Sequence, residues 1–249
     1  MNRCPIKALA LAAVFTCGGL VAHATEGELA IYANGESLAT EGFVAPQRTR
    51  DGWELRFDHI FVTVSDVVAL QTDPPYDAEA GGEPVAKVST PLEPAGPRTV
   101  DLTEADEDGR VLLGTVPAPV GHYNAVSWSV VPAIEGEWAG TSVVFVGTAV
   151  RGDETVEFIL TSADSQSHVC GEFVGDGRKG FVTAGDRAEL ELTFHLDHVF
   201  GRQDKGAEDP MNANARGFDA FAGGGTQPID LTDLHIGHVG EGHCAITSH

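Results

Sequence analysis

Apolar residues in this chain recur at every second position far more often than at every third or fourth. A period of two puts alternate side chains on opposite faces of a strand. Such a chain must hide one face of each strand against a second layer. Strand-like runs lie near Glu28–Ala33, Trp53–Leu70, Thr99–Leu102, Val111–Val116, Tyr123–Val131, Ser142–Val150, Thr155–Thr161, Gly180–Thr183 and Ala188–Phe200. Asn34-Gly35, Asp51-Gly52, Asp108-Gly109 and Gly152-Asp153 separate them, and such dipeptides favour tight turns. Short strands punctuated in this way predict an all-β fold, an antiparallel β-sandwich of Greek-key, transthyretin-like or Ig-like type. Two stretches break the pattern. Gln71–Pro97 is rich in Pro, Gly and acids and reads as a long exposed loop. Asp204–Gln227 is irregular, and Ile229–His235 reads as a short helix capped by Asp230 or Thr232.

The first 24 residues read as a secretory leader. Arg3 and Lys7 precede an apolar run over Ala8–Val21, and Ala22-His23-Ala24 is a small-x-small cleavage site. The run is too short to span a membrane, and no other stretch is long and apolar enough. The expected organisation is therefore a leader over 1–24, a sandwich over 25–203, and over 204–249 a loop and His-rich segment packed on the sandwich. The expected location is the periplasm or the exterior. Loss of Arg3 and Lys7 leaves 13 basic against 37 acidic residues, a balance of −24. That charge repels nucleic acid and anionic membranes and gathers cations near the surface.

Cys4 and Cys17 leave with the leader, so Cys170 and Cys244 remain. In an exported chain, two cysteines most simply form one disulfide. Closing a loop of about 75 residues contributes roughly 4 kcal/mol in the chain-entropy model. It would also tie the histidine-rich tail to the body of the fold.

The segments "TVDLTEADEDGRVLLGTVPAPVGHYNAVSWSV" (99–130), "GTAVRGDETVEFIL", "HLDHVF" and "GFDAFA…DLTDL" together resemble an uncharacterised group of exported bacterial β-sandwich proteins. In that group a strand ends in Asp-His-[Leu/Ile/Val]-Phe. The resemblance spans roughly residues 50–244. It implies the same fold and location, and no chemistry.

The histidines carry the functional reading. "FDHIF" (57–61) and "LDHVF" (196–200) echo each other at the ends of two strand-like runs. Strict alternation would put His59 with Trp53, Leu55, Phe57 and Phe61, and His198 with Leu196 and Phe200. Asp58 and Asp197 would then face the other way. "HIGHVGEGHC" adds His235, His238 and His243 among glycines that let the backbone fold around a small site. Imidazole binds zinc, copper and nickel. The expected ligands are His59, His198, His235 and His238, with His195 and His243 in reserve. Asp58 and Asp197 would orient the rings or ligate directly. Only Met211 survives leader removal, which disfavours a methionine-rich copper(I) site, so zinc leads and copper(II) follows. The partners implied are the metal ion and a metal transporter or another periplasmic protein. Among the enzyme signatures sought, the G-x-S-x-G elbow, the P-loop and the dinucleotide fingerprint do not occur. The competing reading is a metal-independent adhesion or carbohydrate-binding sandwich, with Trp53, Trp128, Trp138 and Tyr123 as a stacking surface.

Overall fold

Strand β1 (Glu26–Asn34) sits between β12 (Arg187–Phe194), to which it is parallel, and β5 (Val111–Pro119), to which it is antiparallel. A short β14 (Gly237–Val239) extends this first sheet beyond β12. The computed structural model describes residues 25–171, 179–239 and 243–248, so the leader expected over 1–24 lies outside the described residues. The second sheet is centred on β2 (Glu54–Thr72), a strand of 19 residues. Its neighbours are β3 (Ala86–Pro91), β4 (Arg98–Asp101), β7 (Ala125–Val130) and β8 (Val143–Arg151). Beyond β8 come β9 (Glu154–Ser162) and a parallel β13 (Gly225–Pro228). Beyond β7 come β10 (Gln166–Gly171) and β15 (His243–Ser248). A two-residue ribbon, β6 (Gly121–His122) with β11 (Phe181–Val182), closes one corner. Leu29, Ile31, Leu190, Leu192 and Phe194 of the first sheet face Ile60, Val62, Val126, Trp128, Phe145 and Leu160 of the second, all buried in one core. The all-β sandwich holds, with sheets of mixed rather than purely antiparallel pairing. Val88 packs against that core from β3, inside the stretch expected to be a loop.

The alternation along β2 is not strict. Phe57 pairs with Gly147, while His59 pairs with Val146, so Asp58 is an extra residue without a partner across the ladder. This bulge shifts the register of faces by one. Before it, Trp53 and Leu55 point inward; after it, Ile60, Val62 and Val64 do. His59 is thereby turned out of the core. Gly147 lies opposite the bulge, where a Cβ would run into the Arg56 carbonyl, so glycine is what lets the strands close there.

The second Asp-His echo is not strand at all. β12 stops at Phe194, and Leu196–Phe200 forms a short helix, α2, the second after α1 (Glu36–Thr40). Leu196, Val199 and Phe200 are buried, a spacing of i, i+3, i+4. In so short a run Leu196 and Phe200 also satisfy alternation, which is why the sequence reads as strand. Gly201 ends the helix at φ 65°, its N–H on the Asp197 carbonyl. Phe200 anchors α2 in the core. Its ring lies 5.6 Å from Phe43, 6.0 Å from Phe57 and 5.4 Å from Phe145, between centroids.

After a third short helix, α3 (Pro210–Ala213), the C-terminal segment supplies strands to both sheets. Ile229–His235 is not a helix but a crossing with one turn, which buries Ile229, Leu231 and Leu234 and leaves Asp230, Thr232, Asp233 and His235 exposed. It is held by Gln166, whose Nε2 donates to the Leu231 carbonyl at 2.8 Å and the Leu234 carbonyl at 3.0 Å. Those bonds hold the chain extended where a helix would need the same carbonyls. β15 then lies on the β10 edge, and Cys170 and Cys244 are directly opposed and disulfide-bonded.

Candidate functional site

The crossing that ends at Ile236 brings the tail against the end of β12. The His195 N–H donates to the Ile236 carbonyl at 3.0 Å, and His198 hydrogen-bonds the His235 backbone. Three of the expected histidines, His195, His198 and His235, therefore meet at one end of the sandwich. The His195 and His198 rings lie 5.3 Å apart between centroids, 27° from parallel. Glu36 of α1 reaches His195 Nδ1 at 3.2 Å. His198, His235 and Asp233 share the wall of a cleft of about 220 Å³. This group lies where β12, α1, α2 and the crossing converge, and the packing of Phe200 and the Gln166 anchor help to hold those pieces together.

Between the two imidazoles in sequence is Asp197, only 4% exposed. Its Oδ1 is buried and has no hydrogen-bond partner among the described residues. The nearest guanidinium, Arg202, stands 3.9 Å from Oδ2 and spends its fork on Asp204 at 2.9 and 2.6 Å. Burial pushes the Asp197 carboxyl up, and the His198 and His195 rings oppose that shift. Burial lowers His198, against the pull of Asp197 and with the repulsion of His195 and His235. Burial also opposes the charge on His195, but Glu36 outweighs it and the pKa is raised.

His59 belongs elsewhere. The bulge puts it on the outer face of the second sheet, half exposed, not at the core face expected beside His198. Its Nδ1 lies 2.6 Å from Oδ2 of Asp101, at the end of β4. Asp101 is 7% exposed, and its Oδ1 accepts from the Ile60 N–H (3.0 Å), the Thr103 N–H (3.0 Å) and the Thr103 hydroxyl (2.8 Å). The hydrogen bond to Asp101 raises His59. Burial pushes Asp101 up, but the Ile60 N–H, the His59 ring and Thr103 together hold it below the ordinary carboxylate range. Asp101, then, does for His59 what Asp58 was expected to do. Asp58 is the bulge residue, exposed, and only its carbonyl is used, accepting from the Thr103 hydroxyl at 3.2 Å. Asp101 sits in "TVDLT", 42 positions along the chain from its partner. Only knowledge that β4 pairs with β2 would have found it.

His243 opens β15 and stands 3.4 Å from Glu79, both well exposed. His238 pairs by its backbone with Thr193, and its side chain lies outside the described ones. His122 stacks on Phe181 with ring centroids 3.8 Å apart, and buried His168 stacks on Trp128 at 4.0 Å. The proposed stacking surface also dissolves. Trp53, Trp128 and Tyr123 are 0%, 1% and 0% exposed, which leaves Trp138 alone at the surface.

Among the described residues no group of three or more His, Cys, Asp or Glu side chains stands ready to hold a metal. No helix among them is long and apolar enough to cross a membrane. Comparison with protein-family models, with curated proteins and with solved structures returned no match.

Proposed function

We propose that the chain is an exported divalent-metal-binding protein that takes zinc, or next copper(II), at the end-of-sandwich cluster of His195, His198 and His235. The observation that carries this reading is the unsatisfied, buried Asp197 oxygen beside two imidazoles. A buried carboxylate without a close cation or donor is costly, and a cation beside it removes that cost. The ring separation is of the right size. Two imidazoles on one tetrahedral ion, with metal–nitrogen bonds near 2.1 Å, have centroids about 5 Å apart. Glu36 on His195 Nδ1 is the kind of contact by which a carboxylate orients a ligating ring. A shared ion would need small side-chain rotations, in which His235 turns from the cleft wall toward the pair. The disulfide takes both thiols, so the donor set is imidazole and carboxylate, which suits zinc before softer ions. Buffering or delivery of the ion, with a metal transporter or another periplasmic protein as partner, is the role this reading implies.

The test is the metal content of the protein recovered from the periplasm of an expressing bacterium. Wild type should carry about one zinc or copper per chain. His198→Ala and His195→Ala should carry far less, and His59→Ala should match wild type. Metal-free wild-type protein, or a loss confined to His59→Ala, would overturn the assignment.

A further inference from the structure

On the outer face of the second sheet, away from the histidine cluster, a groove of about 440 Å³ runs between β4 and the loop that joins β7 to β8. Its floor is aromatic. Phe61 stacks on His59 at 5.2 Å and leans on Trp138 at 6.0 Å, between centroids. Its rim is acidic, with Glu104 on one side and Glu135 and Glu137 on the other, while Asp101 at the base is taken up by His59. Neither Lys nor Arg lines it. The arginines nearest in sequence are engaged elsewhere: Arg98 donates to the Leu113 carbonyl at 2.7 Å, and Arg110 pairs with Glu189 at 2.7 Å.

The loop that carries Trp138 is built rather than loose. The Ala133 N–H donates to the Thr141 carbonyl at 2.8 Å, and the Gly140 N–H returns to the Ala133 carbonyl at 2.8 Å. The Trp138 carbonyl accepts from the Thr141 N–H at 3.0 Å and from its hydroxyl at 2.6 Å. A tryptophan on so well bonded a surface loop, just after two glutamates, is unusual for a chain whose other two tryptophans are fully buried.

We infer that this groove binds a small organic cation carrying a methylated ammonium group, seated against Phe61 and Trp138 and neutralised by Glu104, Glu135 and Glu137. Aromatic faces attract cations through the ring quadrupole, and they favour weakly hydrated ones, because little water must be stripped. Glu104, Glu135 and Glu137, none in an ion pair with Lys or Arg among the described residues, supply the long-range attraction and disfavour anions, with Glu104 also acting on the His59 ring. A neutral sugar could stack on the same rings but would gain nothing from the charge, so the two classes separate cleanly in a titration.

The probe is choline, followed through the indole N–H resonance of Trp138 in the full exported chain. Saturable shifts with a millimolar or tighter Kd are expected. The uncharged isostere 3,3-dimethylbutan-1-ol should bind at least about tenfold more weakly. Trp138→Ala, read by the Phe61 ring resonances, should weaken choline about fivefold or more. The isosteric double variant Glu135→Gln/Glu137→Gln, which leaves the loop's backbone bonds untouched, should do likewise, and the effect should shrink in high salt. Equal binding of the isostere, response to glucose but not choline, or no shift by 50 mM choline would each overturn the inference. His198→Ala should bind choline normally, so failure here and failure of the metal reading are distinguishable.

Discussion

Replacing Asp101 by asparagine removes one charge at the β2–β4 junction and keeps the shape of the group. Oδ1 of Asp101 accepts three hydrogen bonds, from Ile60 and twice from Thr103, and Oδ2 meets His59. An asparagine oxygen can keep the first three as neutral bonds. Its amide would face His59 Nδ1, which must then present a lone pair. Hydrogen bonds to a charged acceptor contribute roughly 1.5–3 kcal/mol and neutral ones about 0.5–1.5, so the whole change should cost about 2 kcal/mol. For a chain of this size that lowers Tm by roughly 4–8 °C. The cost should depend on pH. His59 has a raised folded-state pKa, so its contribution is fully present below the ordinary value of about 6.5 and fades as pH rises through the folded value. Asp101 has a lowered one, so its contribution is present above about 3.9 and fades as pH falls. The asparagine variant should therefore lose most relative to wild type near pH 5–6, and less at pH 9. The assay is urea unfolding across pH, with an NMR titration of the His59 ring in both proteins. If the His59 pKa does not fall in Asp101→Asn, or the stability difference is flat from pH 5 to 9, the dyad is not the cause.

Three further outcomes follow from the packing. Phe200→Ala should cost about 3–5 kcal/mol and release α2 from its three aromatic neighbours, seen as faster amide exchange over 196–201. Gln166→Leu should cost roughly 1–3 kcal/mol in urea unfolding, because the Leu231 and Leu234 carbonyls lose the amide of Gln166 and keep only the backbone bonds from Leu234 and Ile236. Reduction of Cys170–Cys244 should cost about 2–4 kcal/mol and raise amide exchange first in β15, which is an edge strand on β10.

Much of the fold is legible in alternation and turn residues, because a buried face imposes its period on the chain. The edge strands β13, β14 and β15 of the C-terminal segment are not, since each is short and pairs with a partner remote in sequence. The site was half legible. Residue type picked out His195, His198 and His235, and the even count picked out Cys170 and Cys244. Face assignment failed at His59 because one bulge residue, Asp58, shifts the faces by one from there to the next irregularity, between Ser65 and Val68. It failed at His198 because Leu196 and Phe200 fit a helical turn as well as a strand, and only buried Val199 tells the two apart. Asp101 was invisible to any local argument, since only the ladder between β2 and β4 joins it to His59.

The most direct measurement of the central claim is a calorimetric titration of zinc into the metal-free protein. Binding of one ion tighter than roughly 0.1 mM, about −5.5 kcal/mol, is expected. His198→Ala should abolish it, Asp197→Asn should weaken it, and His59→Ala should leave it intact. No binding tighter than that limit, or binding that His198→Ala leaves untouched, would contradict a metal site at the end of the sandwich.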